Sequence, residues 1–264
     1  MSIDVFNRYE KKFLLDQQTY EAVSAVLHEQ MTLDAYNQAN GFYTISNLYC
    51  DTVDDALIKK SLSKPIYKEK LRLRAYGIPE LESKVFLEIK KKYQGLVNKR
   101  RTTLELTEAH QFINDKVIPE KKPYQNRQVI NEIHFMLHQY ELKPMVYIAY
   151  DRKALFADDL RITFDTNIRT RRYDLGLERG DYGRPLLAKG QWLMEVKAEK
   201  TLPMWLVRVL SEYKLYATSF SKYGKEFLTK DEDYKYQIEE TKKVKGEKVT
   251  CLSPYLVQQQ QAAR

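Results

Sequence analysis

The stretch YKEKLRLRAYG, residues 67–77, alternates between charged and apolar side chains in the pattern of a β-strand. Its apolar face carries Leu71 and Leu73. The opposite face carries four cations, Lys68, Lys70, Arg72 and Arg74. For a strand taken alone, the simplest interpretation is that the apolar face packs on the core and the charged face meets water. The other strands of the chain decide whether this interpretation is sufficient.

Several further predicted strands place charged residues together on one face. The charged sets are Glu10 with Lys12, Glu88 with Lys90, Lys99 with Arg101, Arg152, Arg161 with Asp165, and Glu195 with Lys197. In an open sheet, so many neighbouring cations repel one another. A closed barrel with its charged faces inside is the alternative. Because unpaired buried charges cost many kcal/mol, such an interior must hold water, counter-charges and a polyanion, for which phosphate is the natural candidate.

The order of predicted elements favours an α+β fold with a largely antiparallel sheet, since strands and helices do not alternate regularly. Aromatic and β-branched runs predict strands at residues 5–15, 41–51, 67–76, 84–93, 96–106, 145–156, 160–168 and 191–199. Apolar periodicity predicts helices at 16–33, after 52, from 107, at 126–140 and from 203.

Composition restricts the class of partner and the compartment. The formal net charge of +8 favours polyanionic partners, although a soluble protein with surplus lysine would show it too. Cys50 and Cys251 have no metal-binding spacing, and no run approaches the roughly 18 apolar residues of a membrane span. We expect a cytoplasmic protein with no transmembrane segment.

Seven short motifs occur in a distinctive order: YEKKF (9–13), RLRAYG (72–77), LEIKKK (87–92), VNKRR (97–101), YDRKAL (150–155), LMEVK (193–197) and SFSKYG (219–224). Together they resemble the VTC domain, the polyphosphate polymerase branch of the CYTH-like triphosphate tunnel metalloenzymes. Each motif alone is weak. The resemblance implies an eight-stranded antiparallel β tunnel, a closed barrel with a mainly basic interior and helices outside, over residues 1–228. A charged extension over 229–264 is expected to be peripheral or partly disordered.

The resemblance also implies a function and its ligands. A VTC domain transfers the γ-phosphate of ATP to a growing polyphosphate chain and releases ADP, with a divalent metal, Mn²⁺ or Mg²⁺. The expected partners are therefore ATP and inorganic polyphosphate or another phosphate polyanion, with no specific nucleic acid. Whether a membrane partner exports the product is left open. Most of the 20 tyrosines fall on apolar faces, which favours core packing, but one or two could stack on an adenine near a tunnel mouth.

The family motifs assign roles to residues of this chain. The residues implied to be catalytic are Arg72, Arg74, Lys90, Arg152, Glu195 and Lys197. Further phosphate-binding residues are Glu10, Lys12, Lys99, Arg101, Arg161, Ser221 and Lys222, with Ser221 and Lys222 on a terminal helix. Glu195 and Glu10 are the implied metal ligands. Lys68 and Lys70, near the start of their strand, are expected only to guide polyanions toward the mouth.

One departure bears on the reaction. Many tunnel enzymes open with ExExK, but the first of these glutamate positions is Arg8 here. Triphosphatases use the glutamates to hold metal and activate water, so the loss of one favours the polymerase branch. Two alternatives stay open: a tunnel triphosphatase acting on tripolyphosphate or nucleoside triphosphates, and a non-catalytic module that binds polyphosphate or RNA.

Overall fold

The computed structural model describes residues 9–37, 41–94, 96–120 and 122–230. In these residues six α-helices surround a ten-stranded sheet. The strands are β1 (Tyr9–Leu15), β2 (Thr32–Leu33), β3 (Tyr43–Asp51), β4 (Tyr67–Tyr76), β5 (Lys84–Tyr93), β6 (Leu96–Glu105), β7 (Lys143–Ala157), β8 (Leu160–Arg171), β9 (Arg184–Pro185) and β10 (Trp192–Ala198). The helices are α1 (Gln17–Gln30), α2 (Ala56–Leu62), α3 (Leu106–Asn114), α4 (Arg127–Gln139), α5 (Met204–Glu212) and α6 (Lys222–Leu228).

The sheet is antiparallel throughout, which confirms the predicted α+β class. Its main path runs β1-β10-β8-β7-β3-β4-β5-β6, and the short strands β2 and β9 pair with β7 and β8. Strands β4, β5 and β6 pair in sequence as an antiparallel meander. Its register places Arg72 opposite Glu88, and Glu88 opposite Arg101.

The predicted closed barrel is not confirmed, because the described residues of β1 and β6, at the two ends of the path, do not pair. Instead, the backbone oxygen of Lys12 on β1 accepts a hydrogen bond from the Thr218 N–H at 2.8 Å. The chain between α5 and α6 therefore occupies part of the edge that barrel closure would use.

Charged side chains from strands far apart in the sheet order nevertheless lie close together. The pKa of Glu10 on β1 is lowered; burial opposes this shift, but nearby ammonium groups outweigh it. One of these ammonium groups belongs to Lys90 on β5, close to the other end of the strand order. The charged faces of distant strands thus meet across one concave face.

Apolar clusters hold helices on the outer, convex face. Leu71 and Leu87 of the meander pack with Phe112 of α3 and Ile133 of α4. On the other half of the sheet, a second cluster joins α1 and α5 to β1, β8 and β10, through Val23, Leu27, Phe164, Val196 and Leu206. Burial of these side chains is the main force that fixes which face of each strand points outward.

Part of the concave face is also apolar. Ile45, Val146 and Ile148 line it from β3 and β7 and pack against Ile58 of α2 and Tyr223 of α6. The concave face is therefore divided: α2 and α6 cover an apolar portion, and the charged portion lies beside them.

Asp51 joins these two helices to the sheet. Its fully buried carboxylate accepts hydrogen bonds from the backbone N–H groups of Leu57 and Ile58, at 2.8 and 3.0 Å, and from the Tyr223 hydroxyl at 2.6 Å. Thr52 Oγ1 accepts a hydrogen bond from the Ala56 N–H at 2.7 Å. Asp51 satisfies the two free N–H groups that follow.

Some predicted boundaries shift because pairing between strands overrides local pattern. The helix predicted over 16–33 ends at Gln30, since Thr32–Leu33 pairs with β7. The strand predicted to end at Ile168 continues to Arg171. Position 8 and most of the predicted extension, residues 231–264, lie outside the described residues. Among the described helices, none is long and apolar enough to cross a membrane.

Candidate functional site

The first part of the charged concave face surrounds Glu88 on β5. Its carboxylate contacts Arg72 Nε at 2.7 Å, Lys99 Nζ at 2.7 Å and Arg74 Nε at 3.8 Å. Glu88 is 2% exposed. Burial raises the pKa of this carboxyl, but the three neighbouring cations outweigh it and hold the pKa far below its usual range. Glu88 is therefore an anion shared among three cations.

Neutral groups fix the two arginines of β4 without cancelling their charge. Arg74 Nε donates to Asn47 Oδ1 at 3.0 Å, and Arg72 Nη1 donates to the Tyr49 hydroxyl at 3.2 Å. Both partners lie on β3, directly opposite in register. Because a guanidinium has five N–H donors, both arginines retain donors for a ligand.

The second part lies on β7 and β8 with α6. Arg152 binds the carboxylate of Asp165 in a two-pronged ion pair, at 2.6 and 2.7 Å. Lys222, the first residue of α6, donates to the same carboxylate at 2.5 Å and lies 4.3 Å from the centre of the Tyr150 ring. Asp165 is fully buried, so α6 inserts its lysine deep into the concave face.

Glu195 on β10 connects this part to β1. Its carboxylate lies 3.3 Å from Lys197 Nζ, 3.6 Å from Lys12 Nζ and 3.7 Å from Lys222 Nζ. Burial raises the pKa of Glu195, but these cations outweigh it and hold the pKa well below its usual value. Lys12 also contacts Glu10 at 3.2 Å, so the two predicted metal ligands share one ammonium group.

Lys70 and Lys90 lie between the two parts. Neither forms a direct ion pair with a described residue. Burial, reinforced by the charge of Lys90, lowers the pKa of Lys70 to about 8. Lys70 Nζ is 5.6 Å from the centre of the Tyr223 ring. Lys70 therefore lies within the concave face, deeper than the mouth position expected for it.

The order of these residues along the chain matches a known family, since the model of the VTC domain family covers residues 7–229. The chain belongs to the VTC domain family. Every helix and strand described for this VTC domain lies within the matched region. No curated protein matches the chain.

Solved structures similar to this VTC domain include two proteins of distant sequence. One is a "putative adenylate cyclase" from Bacillus halodurans, with 16% identity, a TM-score of 0.48, and coverage of 80% of this chain and 92% of the other. Another is a "putative adenylyl cyclase" from Hippeastrum, described as having a dominant triphosphatase activity, with 17% identity, a TM-score of 0.48, and coverage of 81% and 92%. These similarities carry no conclusion about the activity of the present chain.

Three residues implied by the family motifs lie at the border of the VTC domain's concave face. Arg101 stacks over the Phe86 ring at 4.8 Å. Arg161 contacts Asp34 at 3.5 Å. Ser221 is exposed and caps α6, since its hydroxyl accepts from the Gly224 N–H at 3.1 Å. Phosphate binding by these three residues stays a prediction.

Several groups that organise the site were not predicted as functional residues from the sequence. Strand alternation placed Glu88 and Asp165 on charged faces, but only the strand register shows how many cations each one joins. Asn47 and Tyr49 gave no signal, because hydrogen bonds between strands are not visible in one strand's pattern. Arg172 also gave no signal in the sequence. Its guanidinium fixes α6 by donating to the two carboxylate oxygens of Glu226, at 2.6 and 3.0 Å.

Proposed function

We propose that this VTC domain is an ATP-dependent polyphosphate polymerase that transfers the γ-phosphate of ATP to a growing polyphosphate chain. One observation carries the proposal: the concave face gathers more cations than carboxylates from β1, β4, β5, β6, β7, β8, β10 and α6. The cations are Lys12, Lys70, Arg72, Arg74, Lys90, Lys99, Arg152, Lys197 and Lys222, and the carboxylates are Glu10, Glu88, Asp165 and Glu195. A positive surplus of this kind attracts polyanions and lets two of them approach each other.

Arg72 and Arg74 would hold the donor triphosphate. They project from one face of β4, and Asn47 and Tyr49 fix them from the side. A guanidinium binds phosphate oxygens through a planar fork of donors, whereas a lysine offers a compact charge. Lys90 and Lys197 would supply such charges around the transferred group, because both lie close to Glu10 across the concave face.

The transfer itself requires positioning and charge neutralisation more than a protein nucleophile. A terminal oxygen of the acceptor polyphosphate would attack the γ-phosphorus of ATP. The new P–O bond lengthens the polymer by one phosphate. The bond between the γ-phosphorus and the β–γ bridging oxygen breaks, and ADP leaves with its electron pair. The surrounding cations would stabilise the negative charge that develops on the transferred group.

Glu10 and Glu195 would hold a divalent cation, Mn²⁺ or Mg²⁺. Among the described residues, no group of three or more histidine, cysteine, aspartate or glutamate side chains is close enough to bind a metal. The two glutamates nevertheless suit an ion such as Mg²⁺, which commonly uses one or two carboxylates and completes its shell with water and substrate phosphates. When bound, the metal would withdraw charge from the donor phosphate oxygens.

Incubation of the protein with ATP and Mn²⁺ tests the proposal. We expect polymer to form, with one ADP released for each phosphate unit added to it. Orthophosphate without polymer would instead support a triphosphatase, and salt-sensitive binding without turnover would support a binding module. Glu195→Gln should abolish turnover while tripolyphosphate still binds. Glu212→Gln, which changes an exposed carboxylate on α5, is the matched control and should leave turnover unchanged.

A further inference from the structure

Four aromatic rings form a cluster at one end of the concave face, which we call the aromatic rim: Tyr36, Tyr43, Tyr76 and Phe86. Tyr36 and Tyr76 are nearly parallel, with ring centres 5.7 Å apart and planes at 11°. Tyr43 lies 6.0 Å from Tyr76, and Phe86 meets Tyr76 edge-on at 5.9 Å. Tyr36 is 65% exposed and Tyr76 is 45% exposed. The rim therefore offers large aromatic surfaces to solvent.

The rim is adjacent to the cations that would hold phosphate. Tyr76 follows Arg74 by two residues on the same face of β4, which corresponds to about 7 Å along a strand. Phe86 lies directly opposite Arg74 in the register of β4 and β5. If a ligand binds Arg74 through its phosphates and carries a further group, that group would thus lie near these rings.

Hydrogen bonds hold the backbone segment that carries Tyr36 in place. The backbone N–H of Asp34 donates to the Ala154 carbonyl at 2.9 Å, and the Asp34 carboxylate accepts from the Tyr36 N–H at 3.2 Å. The same carboxylate contacts Arg161 at 3.5 Å. The segment that carries Tyr36 is therefore fixed against β7 and β8, which lowers the entropy cost of using this ring to bind a ligand.

We infer that the aromatic rim binds the base of a nucleoside triphosphate whose phosphates occupy the neighbouring cationic face. The inference rests on the proposed function and assigns a binding site to the base of its nucleotide donor. Inorganic polyphosphate has no apolar surface to place against exposed rings. A nucleobase has two such faces, and stacking of a base on an aromatic side chain contributes substantially to binding. The purine of ATP, with its larger ring system, suits the paired surfaces of Tyr36 and Tyr76.

Calorimetric binding of two ligands, a nonhydrolysable ATP analogue and inorganic tripolyphosphate, tests the inference. Tyr76→Leu and, separately, Tyr36→Ala should raise the Kd of the ATP analogue about tenfold, the equivalent of about 1.4 kcal/mol. Neither should change the Kd of tripolyphosphate by more than about twofold. Tyr76→Phe keeps the ring and should bind both ligands like the unaltered protein. Tyr93→Leu, at the opposite end of the meander and also exposed, is the matched control.

The outcomes separate the inference from the function on which it rests. If tripolyphosphate binds but neither rim variant weakens the ATP analogue selectively, the inference is wrong and the cationic site stands. Equal weakening of both ligands would also overturn it, because the rings would then act on the fold rather than on the base. If the unaltered protein binds neither ligand, the proposed function fails and the inference fails with it.

Discussion

Arg72 Nε lies 2.7 Å from Glu88 Oε2 on the neighbouring strand, so a guanidinium assigned to phosphate binding is already paired with a buried carboxylate. Glu88 joins Arg72 to Arg74 and Lys99 as well. A carboxylate among these cations lowers their mutual repulsion when no substrate is present. It also fixes the guanidinium groups so that the donors left free point in defined directions.

Glu88→Gln should therefore destabilise the protein in the absence of ligand. Loss of one partner from a buried ion pair costs roughly 3–5 kcal/mol, because the remaining charges stay buried without compensation. Thermal unfolding should show a lower Tm, and tripolyphosphate should raise the Tm more in the variant than in the unaltered protein. Glu82→Gln, in an exposed turn, is the control. An unchanged Tm for Glu88→Gln would show that the cations do not need this counter-charge.

Lys222→Met should weaken the attachment of α6 to the concave face. The substitution removes the contacts of Lys222 Nζ with Asp165 at 2.5 Å and with Glu195 at 3.7 Å. We expect a loss of roughly 1–3 kcal/mol in the free energy of unfolding, since Arg152 still satisfies Asp165. Denaturant unfolding measures this loss, with the exposed Lys225→Met on the same helix as control. Equal stability of the two variants would show that Lys222 does not attach α6 to the concave face.

Lys90→Met should separate binding from stability. The pKa of Lys90 is lowered by burial and by the charges of Arg72 and Lys12, although Glu10 opposes the shift. The charged lysine is thus unfavourable for folding, and its removal should keep or raise the Tm. Because Lys90 would face phosphate, kcat/KM should fall about tenfold, or about 1.4 kcal/mol.

Lys92→Met is the control for this prediction, because Lys92 follows Lys90 on the same face of β5 but lies near the end of the strand. Its kcat/KM should change little. An equal loss of activity in both variants would indicate that general positive charge, and not the position of Lys90, supports the reaction.

Lys70 should make stability and ligand binding depend on pH in opposite directions. Its pKa is about 8 in the folded protein, below the usual 10.5. Between these values the unfolded chain binds more protons, so the free energy of unfolding rises with pH across this window. Polyanion affinity should fall over the same range as Lys70 becomes neutral.

Lys70→Met tests this behaviour through the difference in Tm between variant and unaltered protein. The variant should be the more stable one at pH 7, and the difference should shrink toward pH 10. Lys189→Met, in an exposed loop, should show no such trend. A difference in Tm that is constant with pH would contradict the assigned titration of Lys70.

Strand alternation predicted the charged faces of Arg72, Arg74 and Glu195, because side-chain direction in a strand depends only on parity. Alternation also placed Arg152 on a charged face, and the structure shows that this face of β7 carries the apolar Val146 and Ile148 as well. The motif SFSKYG located Lys222, which the fold brings to Asp165 although the two are far apart in sequence.

The remaining features depend on tertiary structure. Barrel closure, expected from the charged faces, is not confirmed in the described residues, and the contact of Thr218 with Lys12 at the edge of β1 has no local sequence signal. The triple pairing of Glu88 requires the register of three strands. The aromatic rim likewise combines Tyr36, from a turn, with Tyr76 at the end of a distant strand.

The most direct measurement is a crystal structure of the protein with a nonhydrolysable ATP analogue and Mn²⁺. We predict that the triphosphate lies on the concave face, in contact with Arg72, Arg74 and Lys197, with Mn²⁺ between its oxygens and Glu195. A triphosphate bound elsewhere, with these side chains unchanged and the concave face free of phosphate, would contradict the central claim.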